Sequence, residues 1–234
     1  IPQYIFNFTT NIPWNKMYRR SFIQEHQLQF EHRKRANDVV FVMQALYLAK
    51  SITVVDERLI DYRYNNKNSL TATLSQDVFS TYDAFQSAHD ILEKRGAFEN
   101  EKVKQSFDNK AQSVDLQTSE ASARELFDML LSEGFKKMGI EDRENYYYSR
   151  KVYQSYRTML TGSLVDTLIV MKQQKNENLE AHRQRLCMQK LKVQKLTVKN
   201  EDTRKKLNEK REQLSRLRGQ TGYKICRKLR LFHE

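Results

Sequence analysis

Residues 36–43 read ANDVVFVM, which places a carboxylate, Asp38, at the mouth of an otherwise apolar run. An ionised carboxylate buried without a partner costs several kcal/mol. Asp38 therefore either caps the helix that follows or does chemistry, and a carboxylate within reach of a hydroxyl can take its proton as a general base. The polar side chains that could surround it are its neighbour Asn37, then Trp14, Asn15 and Lys16 on one side and Arg63, Asn68, Ser69 and Thr71 on the other. No glycine-rich phosphate loop, Cys/His cluster, nucleophile elbow or helix-borne pair of histidines occurs, so no metal site is read from the chain.

The elements needed to position these residues follow from the pattern. A short helix is expected from Lys16 to His26, then a polar loop, then a helix from Val39 to Ala49 that is apolar on almost every side and so buried within a domain. SITVV and LIDYRY read as two short strands at the edge of a sheet, joined by a turn at Asp56-Glu57. Val78, Tyr82, Phe85, His89 and Leu92 recur near every 3.6 residues and predict a helix ending at Gly96. Further helices are expected over residues 101–116, 119–133 and 145–171, with Gly134 and Gly139 as breaks.

At 234 residues, with 39% hydrophobic and 11% aromatic residues, the chain has enough apolar mass for a real core. Only six glycines and two prolines argue against a turn-rich β architecture. No stretch of about 18 apolar residues and no leader pattern appears, and Cys187 and Cys226 lack metal-ligand spacing, which together point to a reducing, cytoplasmic setting. The opening IPQYIF looks like mid-domain sequence, as expected of a fragment. The net charge of +12 is unevenly placed: residues 1–171 hold 22 basic and 22 acidic side chains, and residues 172–234 hold 19 and 7. The basic character belongs to the tail.

From Leu179 the apolar residues fall in strict sevens: Leu179, Leu186, Val193, Asn200, Leu207, Leu214. The position three further on is apolar only at Leu196 and Leu217. This is either a modest coiled coil, with Asn200 selecting a parallel pair and hence a homodimer through residues 179–217, or a single long helix. In GYKICRKLRLFHE, cations alternate with apolar residues, which suits an anionic membrane surface or a frayed basic end.

PWNKMYRRSFI, a loop, and NDVVFVMQALYLAKSITVVDERLIDYRYNNKNSLTA resemble, in order and spacing, the C-terminal half of a family 2 glycosyltransferase domain of the GT-A fold. That family carries a Trp-Asn-Lys-Leu-Tyr-basic segment, an acidic pair opening an apolar helix, and a Tyr-Arg…Ser-Leu/Ile-Thr segment. SFDN at residues 106–109 is similar to an element in the helical extension of bacterial polysaccharide members. The resemblance implies an α/β remnant with few strands over residues 1–75, a mainly helical extension over 76–171, a coiled coil or long helix over 172–219 and a basic amphipathic tail over 220–234. It also implies an inverting sugar transfer from a nucleotide-sugar donor to a glycan or lipid-linked acceptor. Asp38 would be the base, Arg63 would contact the donor diphosphate, and Asn37 and Ser69 would line the substrate site. The divalent metal, Mg or Mn, would be held by ligands outside this chain, and the enzyme would sit at the inner face of the plasma membrane. Asn37 stands where the family has Glu, Ala36 where it has an aromatic and Arg33 where it commonly has Gly.

The competing reading is a non-catalytic coiled-coil scaffold. A specific nucleic-acid role is not expected, because the tail's cations interleave with heptad apolars and lack aromatics placed for base stacking.

Overall fold

The first turn after Asn37 sets the character of the fold, since eight successive residues from Val39 to Leu46 are buried on every side of one helix. The computed structural model describes residues 2–57, 59–61, 77–112, 116, 119–144 and 146–229. Of these, 69% are helical. The helices are α1 Arg20–Glu25, α2 Asp38–Leu48, α3 Ser80–Lys94, α4 Glu101–Ala111, α5 Glu120–Met129, α6 Phe135–Lys137, α7 Arg150–Thr161, α8 Leu164–Gly219 and α9 Thr221–Lys228. Short 3-10 turns cover Pro2–Tyr4 and Ala97–Glu99, and a π-helical turn, Leu130–Gly134, joins α5 to α6.

The expected α/β remnant is corrected: no strand occurs among the described residues. Residues 51–57 and 59–61 form no regular element, and Ile52, Val54, Val55, Leu59 and Ile60 all lie exposed. Two short β-prone runs bury nothing by themselves, and strand propensity takes effect only on a surface that pairs and covers it. The end of the second expected strand, with the loop carrying Arg63, Asn68, Ser69 and Thr71, lies outside the described residues.

Residues Ile1–Gln174 form one compact unit and Lys175–Glu234 another. In the first, α2 packs on α3, and α4 packs on α3 and on the Pro2–Tyr4 turn. Phe6, Phe85, Phe98 and His89 surround Phe107 with ring centroids 5.2 to 6.4 Å away. Phe107 and Phe6 are fully buried. Gly96 ends α3 in the left-handed conformation (φ 72°), its N–H bonding the carbonyl of Glu93 at 2.9 Å, as the sequence anticipated. Asn100 caps α4 and Ser119 caps α5 with side-chain oxygens.

Boundaries differ from the sequence reading: α1 begins at Arg20 rather than Lys16, and α4 ends at Ala111 short of residue 116. The single helix expected over 145–171 is split at Gly162 and Ser163. Ser163 and Asp166 make a reciprocal capping box, with Asp166 N–H on Ser163 Oγ at 3.2 Å and Ser163 N–H on Asp166 Oδ2 at 2.9 Å, so α8 starts afresh. Gly134 does not break the chain; it lies in the π turn with helical angles. A Cβ there would stand 3.0 Å from Met129 Sδ and 3.1 Å from Tyr82 Cε2, so the glycine is needed for close approach to α3 rather than for its backbone freedom. Gly134→Val is expected to lower unfolding stability by about 2–3 kcal/mol in urea titration. An unchanged midpoint would mean that this contact has room to spare.

Candidate functional site

The segment ahead of α2 is bound from both sides before Asp38 is reached. Arg33 grips Glu31 through two contacts, Nε to Oε2 at 2.8 Å and Nη2 to Oε1 at 3.0 Å, and its Nη2 also donates to Ser87 Oγ of α3 at 3.0 Å. Ala36 adopts a left-handed conformation (φ 52°), which costs an L-residue roughly 1 kcal/mol and turns the chain sharply into the helix. Asn37 occupies the cap position without a side-chain hydrogen bond, and Asp38 is the first helical residue rather than the cap. Behind it, Phe41 stacks on Phe30 (centroids 4.3 Å apart) and meets the edge of Tyr18 at 5.2 Å, so the helix start is pinned by aromatic rings.

Asp38 is half-buried, and burial raises its carboxyl above the ordinary range against the opposing pull of its own backbone N–H and the Lys16 ammonium. Lys16 is held in turn by three oxygens: the carbonyls of Thr10 at 2.7 Å and Ile12 at 2.8 Å, and Asn15 Oδ1 at 2.8 Å. Burial and the charge of Lys110 lower its pKa, and Asp38 raises it. Lys110 of α4 reaches the carbonyl of Thr9 at 3.2 Å and so tethers the loop that wraps Lys16. The PWNK segment thus supplies one cation, fixed by main-chain oxygens, to the surroundings of Asp38. Trp14 is 46% exposed and Asn37 is exposed beside the carboxylate. Arg63, Asn68, Ser69 and Thr71 lie outside the described residues, so Asp38, Asn37, Trp14, Asn15 and Lys16 are the candidates whose positions are defined.

Chemically, a carboxyl made more basic by burial, aligned with a helix N-terminus and facing partly into solvent, can accept a proton from a hydroxyl brought to it. Among the described residues no group of three or more His, Cys, Asp or Glu side chains could hold a metal ion.

A second polar cluster, which the sequence reading missed, is structural. Asp108 is fully buried on α4, where Oδ1 accepts from Lys104 Nζ at 2.5 Å and Oδ2 accepts from the Tyr147 hydroxyl at 3.3 Å. Lys104 Nζ also donates to the carbonyls of Gly139 at 2.9 Å and Met138 at 3.2 Å. The neighbouring residues of SFDN each secure another segment. Ser106 Oγ accepts from the Phe6 N–H at 2.9 Å, and Asn109 Oδ1 accepts from the Ser149 N–H at 2.6 Å. The signal available in the sequence was an (i, i+4) Lys/Asp pair, which is commonplace on exposed helices, and burial is what distinguishes this one. No family model, curated protein or solved structure matches this chain.

Burial pushes the Asp108 carboxyl up to about 6 from 3.8, outweighing the attraction of Lys104. The folded chain therefore holds that proton more tightly than the unfolded chain. The stability Asp108 contributes is full below pH about 4 and is lost as pH rises through about 6. Measured against Asp108→Asn, wild-type unfolding free energy is expected to fall by about 2 kcal/mol between about pH 4 and about pH 7. Parallel pH profiles for the two proteins would show that Asp108 titrates normally.

Proposed function

We propose that this chain contributes the acceptor-side part of a nucleotide-sugar-dependent glycosyltransferase that inverts configuration, with Asp38 as its general base. The observation that carries the reading is the half-buried Asp38 carboxyl at the start of α2, with Lys16 held near it by Thr10, Ile12 and Asn15. In the reaction, an acceptor hydroxyl on a glycan or lipid-linked sugar gives its proton to an Asp38 carboxylate oxygen as its own oxygen bonds the donor's C1. The bond from C1 to the nucleoside diphosphate breaks on the opposite face, and the diphosphate leaves with that electron pair. Burial makes the carboxylate more basic than a solvated aspartate, and Lys16 pulls the other way, toward the ionised form. Asn37, exposed at the same helix start, is placed for an acceptor hydroxyl, whereas Arg63 and Ser69 enter this reading only by their place in the sequence. In the full-length protein, Asp38→Asn is expected to preserve donor binding and to cut turnover about 10²-fold or more. Turnover near the wild-type level would reduce Asp38 to a helix start. Failure of every nucleotide-sugar donor to release its nucleoside diphosphate would remove the enzymatic reading itself.

No helix among the described residues is long and apolar enough to cross a membrane. We place the enzyme at the inner face of the plasma membrane, attached peripherally through α9. Lys224, Arg227 and Lys228 supply positive charge there, and Ile225 and Leu229 lie 53% and 65% exposed. Co-sedimentation with vesicles containing anionic lipid is expected, weakened by salt and by Leu229→Asp. Binding indifferent to both would exclude α9 as the contact.

A further inference from the structure

The second unit, Lys175–Glu234, contains the part of α8 that carries the heptad row, and every residue there from Lys175 to Gly219 is exposed. Leu179, Leu186, Val193, Leu207 and Leu214 are each 43 to 62% exposed, so the row is an apolar stripe without cover in this chain. With the Leu179 row taken as the first seam position and the Leu196 and Leu217 row as the second, the flanking rows on both sides are defined. One flank carries Arg183, Lys190, Arg204, Arg211 and Arg218, interrupted by Thr197. The other carries Arg185, Lys192, Lys199 and Lys206, ending at Gln213. Neither flank holds an acid. The acidic residues of this stretch, Glu177, Glu180, Glu201, Asp202, Glu209 and Glu212, all fall on the three outer rows. Two flanking cations reach acids on their own helix, Arg183 to Glu180 at 3.7 Å and Lys206 to Asp202 at 2.8 Å, and exposed pairs of this kind screen little of the flank's charge.

This segregation decides among occupants. In a parallel pair of identical helices, Arg185 would lie across from Lys190 of the other copy, Lys199 from Arg204 and Lys206 from Arg211, so like charges would meet at these three pairings on each side of the seam and no opposite charges would meet at any. Antiparallel pairing sets each flank against its own kind and is no better. A flat anionic surface fits the charge but not the repeat. A strict seven-residue row drifts about 20° per heptad on a straight helix, roughly 100° between Leu179 and Leu214, so it leaves a plane while following a partner that supercoils with it. Asn200 and Thr203 within the stripe also suit a helix seam, where polar seam residues set register, better than a lipid interface.

We infer that the Leu179–Leu217 seam of α8 is one half of a heteromeric coiled coil, whose partner is a helix with acidic residues at its flanking positions. The seam supplies apolar burial, the cationic flanks supply selectivity, and their mutual repulsion keeps copies of this chain apart.

The test uses the whole chain and a synthetic helix of about six heptads with leucine at both seam positions, asparagine opposite Asn200 and glutamate at every flank. Sedimentation of the chain alone at about 50 mM salt is expected to give a monomer, and the acidic peptide is expected to bind one to one. Affinity should fall at least about tenfold on raising salt to about 500 mM, and by a similar factor in Arg204→Glu/Lys206→Glu/Arg211→Glu. Leu186→Ser, uncharged and at an exposed position where folding is not at stake, should abolish binding and so separate the seam from bare charge. Self-association at low salt would overturn the inference in favour of a second copy. Equal binding of a scrambled peptide of the same composition, tighter binding to nucleic acid than to the peptide, or anionic-vesicle binding that is lost with the seam substitution, would overturn it as well.

Discussion

Asp108 carries a carboxylate into a site with no solvent access, and the first unit is arranged to make that tolerable. Lys104 supplies the countercharge, and the same ammonium binds the carbonyls of Met138 and Gly139 just after α6. Tyr147 supplies the second donor and brings the segment before α7 onto α4. One turn of α4 then organises both ends of the unit, because Ser106 secures Phe6 and Asn7 while Lys110 secures Thr9. Thr9 begins the loop whose carbonyls hold Lys16, and Lys16 bears on Asp38. Satisfying one buried charge and positioning the candidate base are thus successive steps along one connected set of contacts.

The two carboxylates show why burial alone does not mark a site. Both have their protonation raised by desolvation. Around Asp108, both oxygens are taken by donors from the protein and the residue is sealed, so nothing outside the chain can use it. Around Asp38, the side chain is only half-buried and the nearby cation bonds three oxygens of its own loop. A group made more basic yet left accessible has capacity to exchange a proton, and one made more basic and fully partnered does not.

Sequence periodicity located the helical body well because its signals are local. The unbroken apolar run of α2, the 3.6-residue spacing of Val78 to Leu92 and the left-handed Gly96 all depend on residues within one or two turns of each other. What failed was information held elsewhere in the chain. SITVV has the composition of a strand, but a strand requires a partner, and the described part of that region has none. Gly134 looked like a breaker because its packing against Tyr82 on α3 cannot be read locally. The capping box at Ser163 and Asp166 is local and legible, but an apolar periodicity runs continuously across it. The SFDN element stands out in the sequence only through a resemblance, whereas its physical role, three buried or half-buried side chains tying α4 to the N-terminal segment and to the stretch before α7, emerges only from the contacts.

Charge is partitioned along the chain as cleanly as burial. Residues 1–171 balance acids against bases, so the body that must pack a core carries no net self-repulsion. The surplus lies in a helix that buries nothing of its own beyond its first turns, where Leu164 and Thr167 close against the core. A helix of that length without a core gains little from propensity alone, and rows of like charge on either side of an apolar stripe oppose the pairing that most simply would cover it. The same cations that raise the cost of self-association lower the cost of meeting an acidic helix. An apolar row flanked by cations favours a differently charged cover over a second copy, so along residues 179–217 the charge pattern acts on the choice of partner.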